Sequence, residues 1–245
     1  MSEEKNSGTG RIVFIATPIG NMGDITLRSI EALKNADLIA CEDTRRSSKL
    51  LNRLEIHKPL LSFHEHNEKV RGQRLVDEVL AGKTVACLTD AGMPGISDPG
   101  YRLVQDCLDA HLPFDILPGP SAVPVALLGS GLPTDSFYFG GFLPTKKGKR
   151  TSELECAVQR SCSSVFFESP HRILATLEII AAIAAAHPLC VARELSKKFE
   201  SWYRGTATEV KALMGDGKVK GEITLVIGPA PKERKSRRNS TGEPG

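Results

Sequence analysis

The sequence predicts an α/β protein built as two α/β domains, and three observations carry that expectation. Short apolar runs rich in β-branched residues alternate with amphipathic segments along most of the chain. The runs of the first half end in loops dense in Gly, Pro and charged residues, the pattern of strand–loop–helix crossovers in a parallel sheet. The length, 245 residues, exceeds the ~100–200 residues usual for one domain. The expected division is a flexible polar N-terminus (1–10), an N-terminal α/β domain (11–130), a C-terminal α/β domain (131–229) and a basic disordered tail (230–245). The boundary is set at Gly129-Ser130-Gly131-Leu132-Pro133-Thr134, where the pattern breaks.

The first strand is expected over 11–17, a continuous apolar run ending in Thr17-Pro18-Ile19-Gly20-Asn21. Asp24 is the expected N-cap of the helix that follows. A second strand over 37–41 ends in Glu42-Asp43-Thr44-Arg45-Arg46. Acids there suit a helix N-terminus, so capping and ligand contact both fit Asp43; the dipole disfavours the two arginines at that end. A third strand, 60–63, runs into His64-Glu65-His66-Asn67-Glu68, with Asn67 the expected cap of the next helix. The H-x-H pair raises metal binding, but no further ligand cluster lies nearby in sequence, and a polar cluster touching substrate is preferred.

The fourth strand, 84–88, feeds the stretch on which the chain is organised: Thr89-Asp90-Ala91-Gly92-Met93-Pro94-Gly95-Ile96-Ser97-Asp98-Pro99-Gly100. Ordinary βα loops run about 2–6 residues. A longer one, with glycines that admit close backbone approach and prolines that fix its shape, is the first place to look for a ligand. The fifth strand, 114–117, ends in Pro118-Gly119-Pro120-Ser121-Ala122, where Ser121 starts a helix and leaves free amides at its N-terminus. In the second half, strands are expected at 136–142, 164–168, 189–192, 202–205 and 221–228, and helices to about 159, to 186 and over 209–214.

Composition narrows the chemistry. Hydrophobic content of 40% and charged content of 25% describe a soluble globular chain, and a net charge of +3 does not by itself declare a nucleic-acid partner. Six cysteines without C-x-x-C spacing argue against a zinc site and a disulfide framework. The longest apolar stretch, 179–186, is too short to span a bilayer, and the polar N-terminus has no signal region; a cytoplasmic protein is expected. There is no P-loop, no G-x-S-x-G and no complete G-x-G-x-x-G fingerprint. Basic groups recur beside the strand-end loops: Arg45, Arg46, Lys146, Lys147, Lys149, Arg150, Arg172, Arg193, Lys197 and Lys198. A solvated face accounts for any one of them; their recurrence points to phosphate contacts. The residues alone lead to a two-domain α/β enzyme with a small-molecule site, acting on an anionic polymer.

The motifs in their order resemble a known family. Ala16-Thr17-Pro18-Ile19-Gly20-Asn21, Cys41-Glu42-Asp43-Thr44-Arg45, His64-Glu65-His66-Asn67-Glu68, the central loop from Asp90 to Gly100, Pro118-Gly119-Pro120-Ser121-Ala122 and Ala192-Arg193-Glu194-Leu195 are similar to the bacterial 16S rRNA (cytidine-2′-O)-methyltransferases of the tetrapyrrole methylase superfamily. The likeness spans about 10–228. It implies an N-terminal parallel sheet and a C-terminal mixed sheet, each with helices, and S-adenosylmethionine held between the domains. It also implies a homodimer, and 16S rRNA or the small ribosomal subunit, at its decoding region, as the target. By the same resemblance Pro18, Asp90, Gly92, Ile96, Ser121, Ala122, Phe167, Leu195 and Thr224 would bind the cofactor. Asp43, Arg45, His66, Asn67, Lys146, Lys147, Arg150, Arg172 and Arg193 would meet RNA. Glu65 or His64 would act as general base, and no metal is required. Some members carry a further C-terminal domain; here a basic tail (Lys232, Arg234, Lys235, Arg237, Arg238) stands in its place.

Two rivals share these observations. One is a superfamily relative that methylates a corrin or other tetrapyrrole precursor, which the basic loops argue against. The other is an rRNA-binding assembly factor without catalysis, which the density of intact cofactor loops argues against.

Overall fold

The computed structural model describes residues 10–215 and 217–230. Nearly all of the expected N-terminal segment and the basic tail therefore lies outside the described residues.

Strands β1 (Arg11–Ile15), β2 (Leu38–Cys41), β3 (Leu60–Ser62), β4 (Thr84–Leu88) and β5 (Phe114–Leu117) form one sheet in the order β3-β2-β4-β1-β5. All of its pairings are parallel. The side-chain period of two splits each strand between two cores. Ile12, Phe14, Val85 and Cys87 pack with Leu75, Val79, Leu103 and Cys107 of α3 (Glu68–Leu80) and α4 (Tyr101–Asp109). Val13, Ile15, Ile39 and Leu88 pack with Leu33 and Leu51 of α1 (Leu27–Asn35) and α2 (Thr44–Arg53). Burial on both faces explains why the strands read as continuous apolar runs.

The second sheet has the order β6-β7-β10-β8-β9, from β6 (Phe137–Phe142), β7 (Ser163–Glu168), β8 (Leu189–Arg193), β9 (Ser201–Gly205) and β10 (Ile223–Ile227). Only β6 and β7 pair in parallel; the other three pairings are antiparallel, so the sheet is mixed. On one face lie α6 (Lys147–Gln159), α7 (Ile173–Ile183) and α8 (Ala207–Met214), through Leu154, Leu177, Ile180 and Val210 against Phe166, Val191 and Leu225. The other face is covered by α5 (Ala122–Ser130), whose Val123, Ala126 and Leu127 meet Val165, Cys190, Ala192 and Val226. Helix α5 precedes the expected boundary at 130/131 yet packs on the second sheet.

Several local expectations are corrected. The first strand stops at Ile15, because Thr17 turns aside to exchange backbone hydrogen bonds with Gly92 (2.9 and 3.0 Å). Asp24 does not cap α1; it sits in a 3-10 turn (Met22–Asp24), and the Thr26 hydroxyl accepts from the Ser29 amide instead. Asn67 occupies the N-cap position of α3 without a side-chain cap bond. Its amide is drawn back into the loop, accepting from the His64 amide (2.9 Å) and donating to the Ser62 carbonyl (3.3 Å). The helix expected to run to 186 ends at Ile183. Among the described residues no helix is long and apolar enough to cross a membrane.

Candidate active site

The carboxyl ends of the parallel strands face the second sheet across a cleft of about 460 Å³. The first sheet contributes Ile19, Glu42, Arg46, the central loop (Asp90 to Met93 and Ile96 to Asp98), and Ser121 and Ala122 at the start of α5. The second sheet contributes Phe142, Phe167 to Pro170, Leu195 and Gly221 to Thr224. Ile19 and Leu195 pack together with α5 and the second sheet. Leu195 is presented by a tightly held turn. Glu194 and Ser196 on either side of it have φ of 56° and 65°, a region costly for side chains other than glycine. The Lys197 ammonium donates to Glu194 (2.8 Å), and the Ser196 hydroxyl donates to Asp24 Oδ2 (2.5 Å) across the domain junction. Gly20 is required at that junction: a β-carbon there would stand 2.7 Å from the Leu195 carbonyl oxygen.

Carboxylates dominate the polar lining. Burial pushes Glu42, Asp90 and Asp98 upward from the ordinary carboxylate range. For Asp98 the neighbouring Glu42, Asp90 and Glu222 add to burial, and its pKa reaches about 7. Arg46 opposes this at Asp90, with its guanidinium 3.1 Å from Oδ2. Such a cleft welcomes positive charge. At its other side α5 opens with no side-chain cap on Ser121, leaving first-turn amides for an anionic or carbonyl oxygen. Ile19, Met93, Ile96, Ala122, Phe167, Leu195 and Ile223 supply an apolar wall. Among the described residues no three His, Cys, Asp or Glu side chains converge on a metal position.

Eight of the nine residues expected at the cofactor line this cleft: Asp90, Gly92, Ile96, Ser121, Ala122, Phe167, Leu195 and Thr224. Pro18 does not; its neighbour Ile19 takes that place, because the chain turns at Thr17 to bond Gly92. The expected bases fall outside the lining. Glu65 is exposed, and His64 is tied through Nε2 to Asn67 (3.0 Å), with His66 packed edge-on to it. The RNA-facing expectations divide. Arg45 is 88% exposed and paired with Asp43 (3.2 Å), which also caps α2. Lys146 and Lys147 are exposed at the start of α6.

The other three arginines are each engaged by groups of the chain itself. Arg150 is only 6% exposed and donates to the Pro144 and Thr145 carbonyls, bracing the loop that holds the lysines. Arg172 donates to Glu168, whose side chain is fully buried (2.6 Å). Arg193 donates to the carbonyls of Lys220 and Phe199. The charged lining residues absent from the expected site are Glu42, Arg46, Asp98, Glu168 and Glu222. Glu42 and Asp98 lie inside the motifs already singled out, and strand-end position was the signal that would have included them.

The profile of the tetrapyrrole (corrin/porphyrin) methylases matches residues 11–211. Proteins named ribosomal RNA small subunit methyltransferase I are similar throughout. The one from Halalkalibacterium halodurans is 42% identical over 92% of this chain and 78% of its own length. The one from Synechocystis is 44% identical over 93% and 82%, and the one from Thermotoga maritima 44% identical over 89% and 98%. Among solved structures, uroporphyrin-III-C-methyltransferase from Thermus thermophilus superposes with a TM-score of 0.63 at 20% identity, covering 89% of this chain and 94% of that one. The same enzyme complexed with S-adenyl homocysteine gives 0.63 at 18%, covering 89% and 97%. A profile match over most of the chain, joined to these relatives and to the two-sheet architecture around the cleft, means that the chain belongs to the tetrapyrrole methylase family.

Proposed function

We propose that this protein methylates the ribose 2′-hydroxyl of a cytidine in the decoding region of 16S ribosomal RNA, with S-adenosylmethionine as donor. The observation that carries the reading is the run of relatives named ribosomal RNA small subunit methyltransferase I, at 42–44% identity over about nine-tenths of the chain. The cleft fits the donor. Its volume lies within the ~300–1,000 Å³ usual for small-ligand sites, and its lining pairs an apolar wall with carboxylates and free helix amides. Asp90 and Glu42 would hold cationic groups, the start of α5 a carboxylate, and Phe167, Leu195 and Ile223 an aromatic base. When bound, the donor supplies an electrophilic methyl on a sulfonium.

The remaining work falls to the chain's own side chains. The two walls would hold the acceptor beside the donor, and such positioning supplies much of the rate. Asp98, rather than the expected Glu65 or His64, is the proton acceptor in this proposal: it lines the cleft, and its pKa near 7 suits a general base at neutral pH. Arg46 steadies negative charge at the acceptor oxygen. Lys146 and Lys147, with the uncapped start of α6, and Arg45 support phosphate contact at the rim. Exposed Val125 and Leu128, three residues apart on α5, support the homodimer.

Labelled methyl transfer to small ribosomal subunits, naked rRNA and a tetrapyrrole pool tests the reading, with the product mapped. Label on a cytidine ribose supports it. Label in the tetrapyrrole alone keeps fold and donor and overturns the acceptor. RNA binding without transfer leaves the assembly-factor alternative.

A further inference from the structure

Phe142 is an aromatic side chain on the cleft that remains 60% exposed. Its position is made by an irregularity. Along β6, Phe137, Tyr138 and Phe139 pair in register with Ser163, Ser164 and Val165, but Phe142 then pairs with Phe167. Three residues advance on β6 while two advance on β7. This is a β-bulge at Gly140-Gly141, and a bulge re-aims the side chains beyond it.

Simple alternation would put Phe142 on the face of Tyr138, against the α6–α8 core, and a glycine over the cleft. The extra residue places Phe142 instead on the face of Phe139 and Phe167, with its ring 5.3 Å from that of Phe167. Leu143 still enters the α6–α8 core. Gly141 makes the turn at φ 64°, where a β-carbon would sit 3.2 Å from the Ser97 hydroxyl oxygen. The end of β6 thus meets the central loop across the mouth of the cleft, beside Asp98.

We propose that Phe142 is the stacking platform for the target nucleobase of the RNA substrate. This rests on the functional reading above and adds how that substrate is held. A bound cofactor is mostly enclosed by its site; the half-buried Phe167 suits that role, and the rim ring does not. An acceptor nucleotide in RNA must leave its stack to bring its ribose into a cleft, and an aromatic face compensates for the lost stacking. A base on Phe142 sets its own ribose toward Asp98 on the facing loop.

The test is full-length Phe142→Ala, Phe142→Leu and Phe142→Trp, assayed for methyl transfer to the RNA that the wild type modifies, with cofactor affinity by calorimetry. Loss of a base–aromatic stack is expected to lower kcat/KM for RNA about 5- to 100-fold in the Ala and Leu variants. The Trp variant is expected to retain activity, and cofactor Kd to stay within about twofold. The wild type holds one tryptophan, so the fluorescence added by Phe142→Trp is expected to be quenched by the RNA. Unchanged kcat/KM in the Ala variant overturns the proposal. So does a raised cofactor Kd with RNA kinetics unchanged, which would give the ring to the cofactor. A loss accompanied by a fall in Tm overturns it in favour of packing. If the wild type transfers no methyl to RNA, the functional reading itself falls and this inference with it.

Discussion

Arg172→Met should destabilise the second domain strongly while leaving RNA affinity nearly untouched in the molecules that remain folded. The Glu168 side chain is fully buried and accepts from the Arg172 guanidinium (2.6 Å), the Thr176 hydroxyl (2.7 Å) and the Ser169 amide (2.6 Å). Removing one partner of a buried ion pair costs about 3–5 kcal/mol, because the other charge stays behind without compensation. Arg172 is itself 23% exposed, so water enters easily and the loss belongs near the lower end, about 3 kcal/mol. For a chain of this size that is a fall in Tm of about 6–12 °C. Thermal unfolding by circular dichroism measures it, and the double variant Arg172→Met with Glu168→Gln should recover most of the loss by removing the stranded charge. An unchanged Tm in the single variant, with RNA affinity lost, would refute this reasoning and return Arg172 to the RNA interface.

Asp98→Asn should flatten the pH dependence of both rate and stability. A carboxyl held near 7 in the folded chain contributes stability that is present at low pH and lost as pH rises through about 7. The variant should therefore gain Tm on the wild type between about pH 4 and 7, while the acid limb of the wild-type rate, at or below pH 7, disappears with most of the activity. Gly20→Val should weaken cofactor binding at least about tenfold by calorimetry, since a branched side chain forces apart the 2.7 Å approach to the Leu195 carbonyl oxygen. Lys146→Ala with Lys147→Ala should lower RNA affinity and make the slope of log K against log salt shallower by about 1–2 in filter binding, with cofactor Kd unchanged.

Most of the architecture was legible because periodicity and loop chemistry agree. Short apolar runs at Arg11–Ile15, Leu38–Cys41 and Thr84–Leu88 read as buried strands, and they are. The breaker-rich stretch after Leu88 became the heart of the cleft because strand ends in a parallel sheet converge there. What stayed hidden depends on side-chain direction. Arg150 and Arg45 look alike in sequence as basic residues beside helix starts, yet one is turned inward to two carbonyls and the other lies in water. His64 and Glu65 drew attention by composition, whereas Glu42 and Asp98 reach the cleft by geometry. The Gly140-Gly141 bulge was likewise invisible, because the aromatic run around it reads equally well as a regular strand.

The order of strands in the second sheet sets a schedule for synthesis. Strand β10 is the last of the described strands in the chain, but it lies third of five in its sheet, between β7 and β8, and Ile223 and Thr224 belong to the cleft. As the chain leaves the ribosome, the parallel sheet can be complete while β7 and β8 still lack the strand that joins them. Helix α5 waits too, for its partners on β10 and β8. A nascent or prematurely ended chain short of Ile223 therefore lacks both the central strand of its second sheet and that part of the cleft wall.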